Sequence, residues 1–435
     1  MSVFSRFRFP GIEVMFGLCL LAFTSYSKAN EAPALITTAP APIKQALQSA
    51  WNNHPNSRIT ESQLAAARAR ADAASRPLYN PELELASDKE GTDRASSAEL
   101  SMAIDISGKR RARRDAGAAQ LQFDEAQAQL RRRDFAVNWL TAWSSVQGAQ
   151  QAVQVGNKRL DLMIRFADLA EKQFKVGDIS SLERDLALLA RDEAQSEQAN
   201  LLADLAEQEE SFLNVGGQPD HISMNLMSAN NLPSINTEHA IKLESLPEWQ
   251  LVNANALAAQ RLIAVAQKDR IADPTLGFTS GRIDYGNVND NIVGIKLSIP
   301  LYVRNSYRAE VVAAQADSDA ANIDVERVNT ELQSRATRAR TTYAAMQKAA
   351  QLWRSSKGTS VESRSELLEK LWRAGEISTA DYLLQLKQTL DTALAGAELE
   401  GRLWRSSTEY LSATGQLESW LGLDTPFNGD TSKWI

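Results

Sequence analysis

The chain has 435 residues, long enough for two or three ordinary domains or for one long repeat protein. Hydrophobic residues make up 43% but aromatics only 7%, the balance of long helices packed through small side chains rather than of a large aromatic core. A formal charge of −7 argues against nucleic acid as a partner. Beyond the N-terminal segment no run approaches the roughly 18 apolar residues of a membrane-spanning helix.

The first residues read as an export signal. Arg6 and Arg8 give a basic start, Val14 to Phe23 an apolar run, and Ser27-Lys28-Ala29 the small residues at which a peptidase cuts. Cleavage after Ala29 removes Arg6, Arg8, Lys28 and Glu13 and takes the formal charge from −7 to −9. Cys19, the one cysteine, falls inside this segment, so the mature chain has no disulfide or thiolate chemistry. His54, His221 and His239 are far apart and form no ligand-spaced pair, so no metal site and no cofactor is expected.

A first helix is expected from about Pro42 to Arg76, with a small-residue face of Ala65, Ala66, Ala67, Ala69, Ala71, Ala73 and Ala74, stopped by Asn80-Pro81. Two short strands follow. Leu83 and Leu85 alternate with Glu82 and Glu84; Leu100, Met102, Ile104 and Ile106 alternate with Glu99, Ser101, Ala103 and Asp105. The polar stretch Asp88 to Ser97 between them reads as a hairpin loop. From Lys109 to about Lys175 no proline appears, which predicts a helix about 100 Å long. Gly177 suits the left-handed position that ends it. Ser180-x-x-Glu183 opens the next helix as a capping box, running to about Leu213.

The same order then repeats. Phe174-x-x-Gly177-Asp178-Ile179-Ser180 recurs as Trp372-x-x-Gly375-Glu376-Ile377-Ser378, at an offset of 198. His54-Pro55 pairs with Leu246-Pro247, and Asn80-Pro81 with Asp273-Pro274. A helix over Ser245 to Ile271 precedes strands around Leu276–Phe278 and Val293–Ile299, joined by a loop from Asp284 to Asn291. A long helix from Tyr307 to Arg373 follows, and after the second tip another from Ser378-x-x-Asp381 to about Leu421. The fold class is therefore mainly α with a small β part, a duplicated helix–β-hairpin–long helical hairpin. The expected segments are a signal at 1–29, a first repeat at 30–215, a linker at 216–243, a second repeat at 244–421 and a tail at 422–435.

Four alternating strands cannot close a membrane barrel, since known barrels have at least about eight. A membrane reading therefore requires several chains, and three would give twelve strands. The other reading of the same pattern is a soluble protein carrying two hairpins against helices, for instance a periplasmic coiled-coil or adaptor protein. Arg131-Arg132-Arg133 reads as a solvated helix face, Trp139 and Trp143 as helix packing, and Tyr79, Tyr285 and Tyr302 as candidates for an interfacial aromatic girdle. The carboxylates form no acid–base pair, and neither a phosphate loop nor a Ser-His-Asp spacing is present, so enzymatic activity is not expected.

The tip motifs, the Asn-Pro before the first strand and Ile299-Pro300-Leu301-Tyr302 after the last, in this order, resemble the TolC-type outer-membrane efflux protein family. Gly108-Lys109-Arg110-Arg111-Ala112-Arg113 resembles its CzcC-like heavy-metal branch. The resemblance implies a homotrimer with a twelve-stranded outer-membrane barrel and a periplasmic helical tunnel. It implies a passive conduit for a tripartite pump, energised by an inner-membrane resistance-nodulation-division transporter. The tips, with Gly177, Asp178, Ile179, Ser180, Glu183, Gly375, Glu376, Ile377 and Ser378, would dock a periplasmic adaptor (membrane fusion) protein. Asp381 would ring the tunnel constriction, a role compatible with its plainer reading as a helix cap, and Glu183 could link protomers. Some members carry arginine at the position of Ile377, so a tip lock of that kind is not expected. The exported cargo would be heavy-metal cations, the alternatives being drugs or a secreted protein.

Overall fold

The computed structural model describes residues 38–422 apart from 92, 223–226, 228–230, 235–241 and 357–360. The export segment, His239, the tail beyond Gly422 and much of the linker lie outside the described residues.

The elements run in the expected order. The first copy contains α1 (Ala41–Asn53), α2 (Pro55–Ser75), β1 (Glu82–Glu90), β2 (Asp93–Ala103), α3 (Lys109–Val176) and α4 (Ser181–Asn214). A short α5 (Pro219–Ile222) lies in the linker. The second copy contains α6 (Pro247–Asp269), β3 (Thr275–Asp284), β4 (Asn289–Ser298), α7 (Arg308–Ser356), α8 (Val361–Arg373) and α9 (Thr379–Thr414), closed by α10 (Leu417–Leu421). The 68 residues of α3 span about 100 Å.

Two expectations are corrected. The first helix is broken at His54, which is extended (φ −77°, ψ 140°) because the residue before a proline is pushed out of the helical region. Its imidazole Nδ1 then caps α2 by accepting from the Asn56 N–H at 3.1 Å. The hairpins are also longer than the apolar alternation suggested. β1 and β2 pair from Glu82↔Ser101 out to Glu90↔Asp93, and β3 and β4 from Thr275↔Ser298 out to Asp284↔Asn289. Residues 88–90 and 93–97 of the first expected loop, and Asp284 and 289–291 of the second, are laddered strand, because backbone pairing does not depend on side-chain polarity.

The four strands form one antiparallel sheet in the order β1-β2-β3-β4, with β2 and β3 joining the two copies. The helices beneath follow the same order: α2 packs on α3, α3 on α6 and α6 on α7. The core is concentrated in one girdle halfway along the helices. Trp51, Phe135, Trp139, Trp143, Phe212, Tyr343, Trp404, Tyr410 and Trp420 are buried there together. Many of the aromatics are thus gathered into a real aromatic core, while alanines line the sheet-side part of α3. Trp139 and Trp143 are packing residues as expected; Trp143 meets Trp404 edge-on at 5.5 Å. A backbone bond from Ala39 N–H to the Trp420 carbonyl (2.8 Å) ties the start of the first copy to the end of the second.

Candidate functional site

Three regions set what the molecule can do: the hairpin tips, the strand face and the joint between them.

At each tip a glycine in the left-handed region ends the descending helix, Gly177 at φ +83° and Gly375 at φ +74°. The following N–H groups, of Asp178 and Glu376, reach back to the carbonyls of Gln173 and Leu371 at 2.9 and 3.0 Å. The ascending helix is then capped. The Glu183 N–H donates to Ser180 Oγ (3.2 Å) while the Ser180 N–H donates to Glu183 Oε2 (2.9 Å), a complete capping box. In the second tip the Asp381 N–H donates to Ser378 Oγ (3.1 Å), whose hydroxyl donates to Asp381 Oδ2 (2.7 Å). Asp381 is exposed and occupied in this cap.

The tips are also tied to each other. Thr379 Oγ donates to Glu183 Oε1 (3.2 Å) and accepts from the Trp372 indole N–H (3.1 Å). The Ser180 backbone N–H, with the Ser180 and Thr379 hydroxyls, holds the Glu183 carboxyl below the usual carboxylate range. Behind it Phe166, Trp372 and Tyr382 pack with ring centroids 4.6–5.6 Å apart, and Ile179 and Ile377 lean on this cluster. Burial pushes the Tyr382 phenol up to about 12. Gly177, Asp178, Ser180, Gly375, Glu376 and Ser378 are all exposed. Sequence reasoning missed Thr379 and Tyr382, whose roles depend on the opposite hairpin.

The sheet has two unlike faces. Leu83, Leu85, Leu100, Met102, Leu276, Phe278, Val293, Ile295 and Leu297 share one face across the register, exposed by 45–81%. The other carries Glu82, Glu84, Glu99, Ser101, Gly277, Thr279 and Lys296. Gly277 leaves room there for Lys296 Nζ to reach Glu99 at 3.1 Å across the intervening strand. Among the described residues no helix is long and apolar enough to cross a membrane.

At the joint, Asp105 accepts from the backbone N–H groups of Gly108, Lys109 and Arg110 at 2.8–2.9 Å, so α3 starts on a carboxylate cap. Lys109 Nζ makes a buried ion pair with Asp273 at 2.9 Å. The Tyr79 hydroxyl donates to the same carboxylate at 2.5 Å, so Tyr79 is a structural clamp here. Tyr302 packs edge-on against Tyr307, and Tyr285 lies half-exposed at the far end of β3. Lower down, the arginine run is corrected. Arg133 is buried and bidentate on Glu248, which Arg335 also reaches at 2.8 Å. Further toward the tips, buried Arg159 pairs with Glu197 at 2.5 Å and Asp391 at 3.1 Å, binding α3 to α4 and α9.

No family model matches the chain. The cobalt-zinc-cadmium resistance protein CzcC of Cupriavidus metallidurans is 25% identical over 246 residues, 56% of this chain and 59% of that protein. The match to this relative therefore spans less than two thirds of its length. The nickel-cobalt-cadmium resistance protein NccC of Alcaligenes xylosoxydans xylosoxydans is 24% identical over 321 residues, covering 71% of this chain and 70% of that protein. In structure the chain is similar to the Campylobacter jejuni CmeC outer membrane channel, with a TM-score of 0.71, 13% identity and 94% of both chains covered. It is similar to the Vibrio cholerae outer membrane protein VceC (TM-score 0.70, 17% identity, 86% and 96% covered) and to CusC (TM-score 0.71, 15% identity, 87% and 93% covered). These relatives are named as channels, a membrane protein and resistance proteins, consistent with a non-enzymatic role. With a duplicated hairpin-and-helix fold shared along nearly its whole length with outer-membrane channels, and sequence relatives among heavy-metal resistance proteins, the chain is TolC-type in fold and CzcC-like in sequence.

Proposed function

We propose that this chain is the outer-membrane channel subunit of a tripartite efflux pump, a passive homotrimeric conduit for heavy-metal cations. The observation that carries the reading is the sheet: nine large apolar side chains stand exposed on one face, opposite a polar face, with β1 and β4 left as open edges. Such a face is satisfied by lipid, and open edges in lipid must be closed by another copy. Three copies give twelve strands, outer-membrane lipid surrounds them, and the helices extend into the periplasm. The metal cargo is inferred from the relatives CzcC and NccC. The partners are a periplasmic adaptor at the exposed tip residues and an inner-membrane resistance-nodulation-division transporter that supplies the energy.

Membrane fractionation tests the core of this reading. The protein is expected in the outer membrane as an oligomer that dissociates on heating; recovery as a soluble periplasmic monomer defeats it. A deletion strain is expected to gain sensitivity to cobalt, zinc or cadmium, whereas a gain to drugs alone shifts the cargo to the alternative class. At the tip, three Asp381 carboxylates on one ring would attract cations at a constriction. Asp381→Asn is then expected to weaken block of single-channel current by divalent cations. Unchanged block leaves Asp381 with the capping role seen in the structure.

A further inference from the structure

The conduit does not use the basic run after β2, yet the fold gathers arginines at that level from every crossing between sheet and helices. The sheet register brings Glu82, Ala103, Thr275 and Ser298 to one end of the strands. A few residues beyond that end lie Arg76 after α2, Arg110, Arg111, Arg113 and Arg114 in α3, Arg270 after α6, and Arg304 and Arg308 before and at the start of α7. All eight are exposed.

The carboxylates of this level are mostly occupied. Asp72 holds Arg76 and Asp115 holds Arg114. Asp105 caps α3, Asp273 takes Lys109 and Tyr79, and Glu310 accepts from Asn305. Asp269 and Glu82 are the remainder. Among the described residues, Arg110 and Arg270 donate to the Ser75 and Ser306 carbonyls and to no carboxylate. Arg111, Arg113, Arg304 and Arg308 have no ion-pair partner among the described residues. Three of the four crossings also expose large apolar side chains beside their arginines: Ile104 and Ile106 before Arg110, Ile271 after Arg270, and Leu301 and Val303, 77% and 85% exposed, before Arg304. The far strand ends carry the opposite bias, with Asp88, Glu90, Asp93, Asp284 and Asp290 against Lys89, Arg94 and Arg282.

We propose that the joint arginines bind the phosphate groups of anionic phospholipids in the leaflet that meets the helices. Long arginine side chains lay their stems along apolar surface and lift the guanidinium to the headgroup level, where it pairs bidentately with phosphate. The apolar residues beside them enter the acyl region, and the acidic far ends leave the opposite leaflet without this attraction. The proposal rests on the barrel reading above and adds a ligand to it.

The test uses the full-length protein in vesicles of phosphatidylethanolamine, alone or mixed with phosphatidylglycerol, with co-retained lipid measured by native mass spectrometry. Wild type is expected to retain phosphatidylglycerol preferentially. The preference should fall by roughly fivefold or more in Arg111→Gln/Arg113→Gln/Arg304→Gln/Arg308→Gln, at least the weight of one surface arginine. It should persist in the tip variant Arg184→Gln/Arg191→Gln. Raising salt from 0.1 to 1 M, which shortens screening from about 10 to about 3 Å, should weaken it in wild type even if the quadruple variant does not fold. Equal retention of both lipids by wild type, or an unchanged preference in the folded quadruple variant, overturns the proposal. Inorganic phosphate that abolishes the preference at matched ionic strength makes this a free-phosphate site and overturns the lipid assignment. Failure to enter either vesicle defeats the barrel reading itself, whereas entry into both without preference defeats only this proposal.

Discussion

The Lys109–Asp273–Tyr79 cluster is where a single side chain weighs most. Both charged groups are nearly dry, with side-chain exposures of 8% and 4%. Burying an isolated ion is costly, and a buried pair is strongly destabilised when one member is removed. Lys109→Met is therefore expected to cost about 3–5 kcal/mol in unfolding measured in detergent. The double change Lys109→Met/Asp273→Asn should recover much of that, because the orphaned charge is gone. A single variant as stable as wild type would show that Asp273 finds water instead. The same carboxylate sets a pH signature. Accepting the Tyr79 hydroxyl proton's hydrogen bond, it pushes that phenol from 10 up to about 12. A folded value above the unfolded one means this stabilisation is complete below pH 10 and is lost as pH rises toward 12. Tyr79→Phe should flatten the stability profile in that window and nowhere below it.

For whole elements, the tips combine two devices that the sequence displays openly: a glycine that ends one helix and a capping box that starts the next. Space is free around Gly177 and Gly375, so a methyl group there meets only the backbone cost of a left-handed conformation. Gly177→Ala and Gly375→Ala are each expected to cost roughly 1–2 kcal/mol, read as faster local amide exchange at the tip with the girdle unchanged. Uniform loss of protection along α3 would instead mean that the tip and the girdle unfold together. The Glu183 cap adds an acid-side term: its folded value lies below 4.5, so its contribution is present above pH 4.5 and is lost as pH falls through the lower value. The tips and the duplication were legible because each motif is local and occurs twice in the same order. The inter-copy contacts were not. Arg133 sits in a triple of arginines that any local reading leaves in solvent, and its burial requires Glu248, 115 residues away. The hairpin lengths escaped for the converse reason: Ser87, Asp88 and Lys89 carry no strand signal, and only the paired backbone of Ser96, Ala95 and Arg94 makes them strand. The break at His54 was written in Pro55, but the alanine-rich periodicity on both sides masked it.

For the molecule as a whole, the internal duplication predicts how copies close on one another. Within one chain, α6 is held on one side by α3, through Arg133–Glu248 and, just beyond its C-terminal end, Lys109–Asp273, and on the other by α7. Its counterpart α2 packs only on α3 in this helix row, and the outer strands β1 and β4 are unpaired. Repeating the α3–α6 junction between chains places α7 of one copy against α2 of the next, a head-to-tail contact that closes as a ring. The two surfaces suit each other. α2 buries Ser57, Thr60, Leu64 and Ala67 toward α3, so helical periodicity turns Ser62, Ala65, Ala69 and Ala73 away from it, all exposed. α7 exposes Val312 by 63% and Ile323 by 65% on the side away from buried Val311, Ala321 and Val328. Large residues on one helix meeting small ones on the other permit close approach. Ala69→Trp touches nothing in the single chain but fills that contact. Light scattering in detergent is expected to show loss of the oligomer, with the helical circular dichroism of the monomer retained. Ala149→Trp, in the groove between α3, α4 and α9, does not lie on either flank and should leave the oligomer intact. An Ala69→Trp protein that still runs as a heat-sensitive oligomer would mean that the chains close through some face other than the one the duplication repeats.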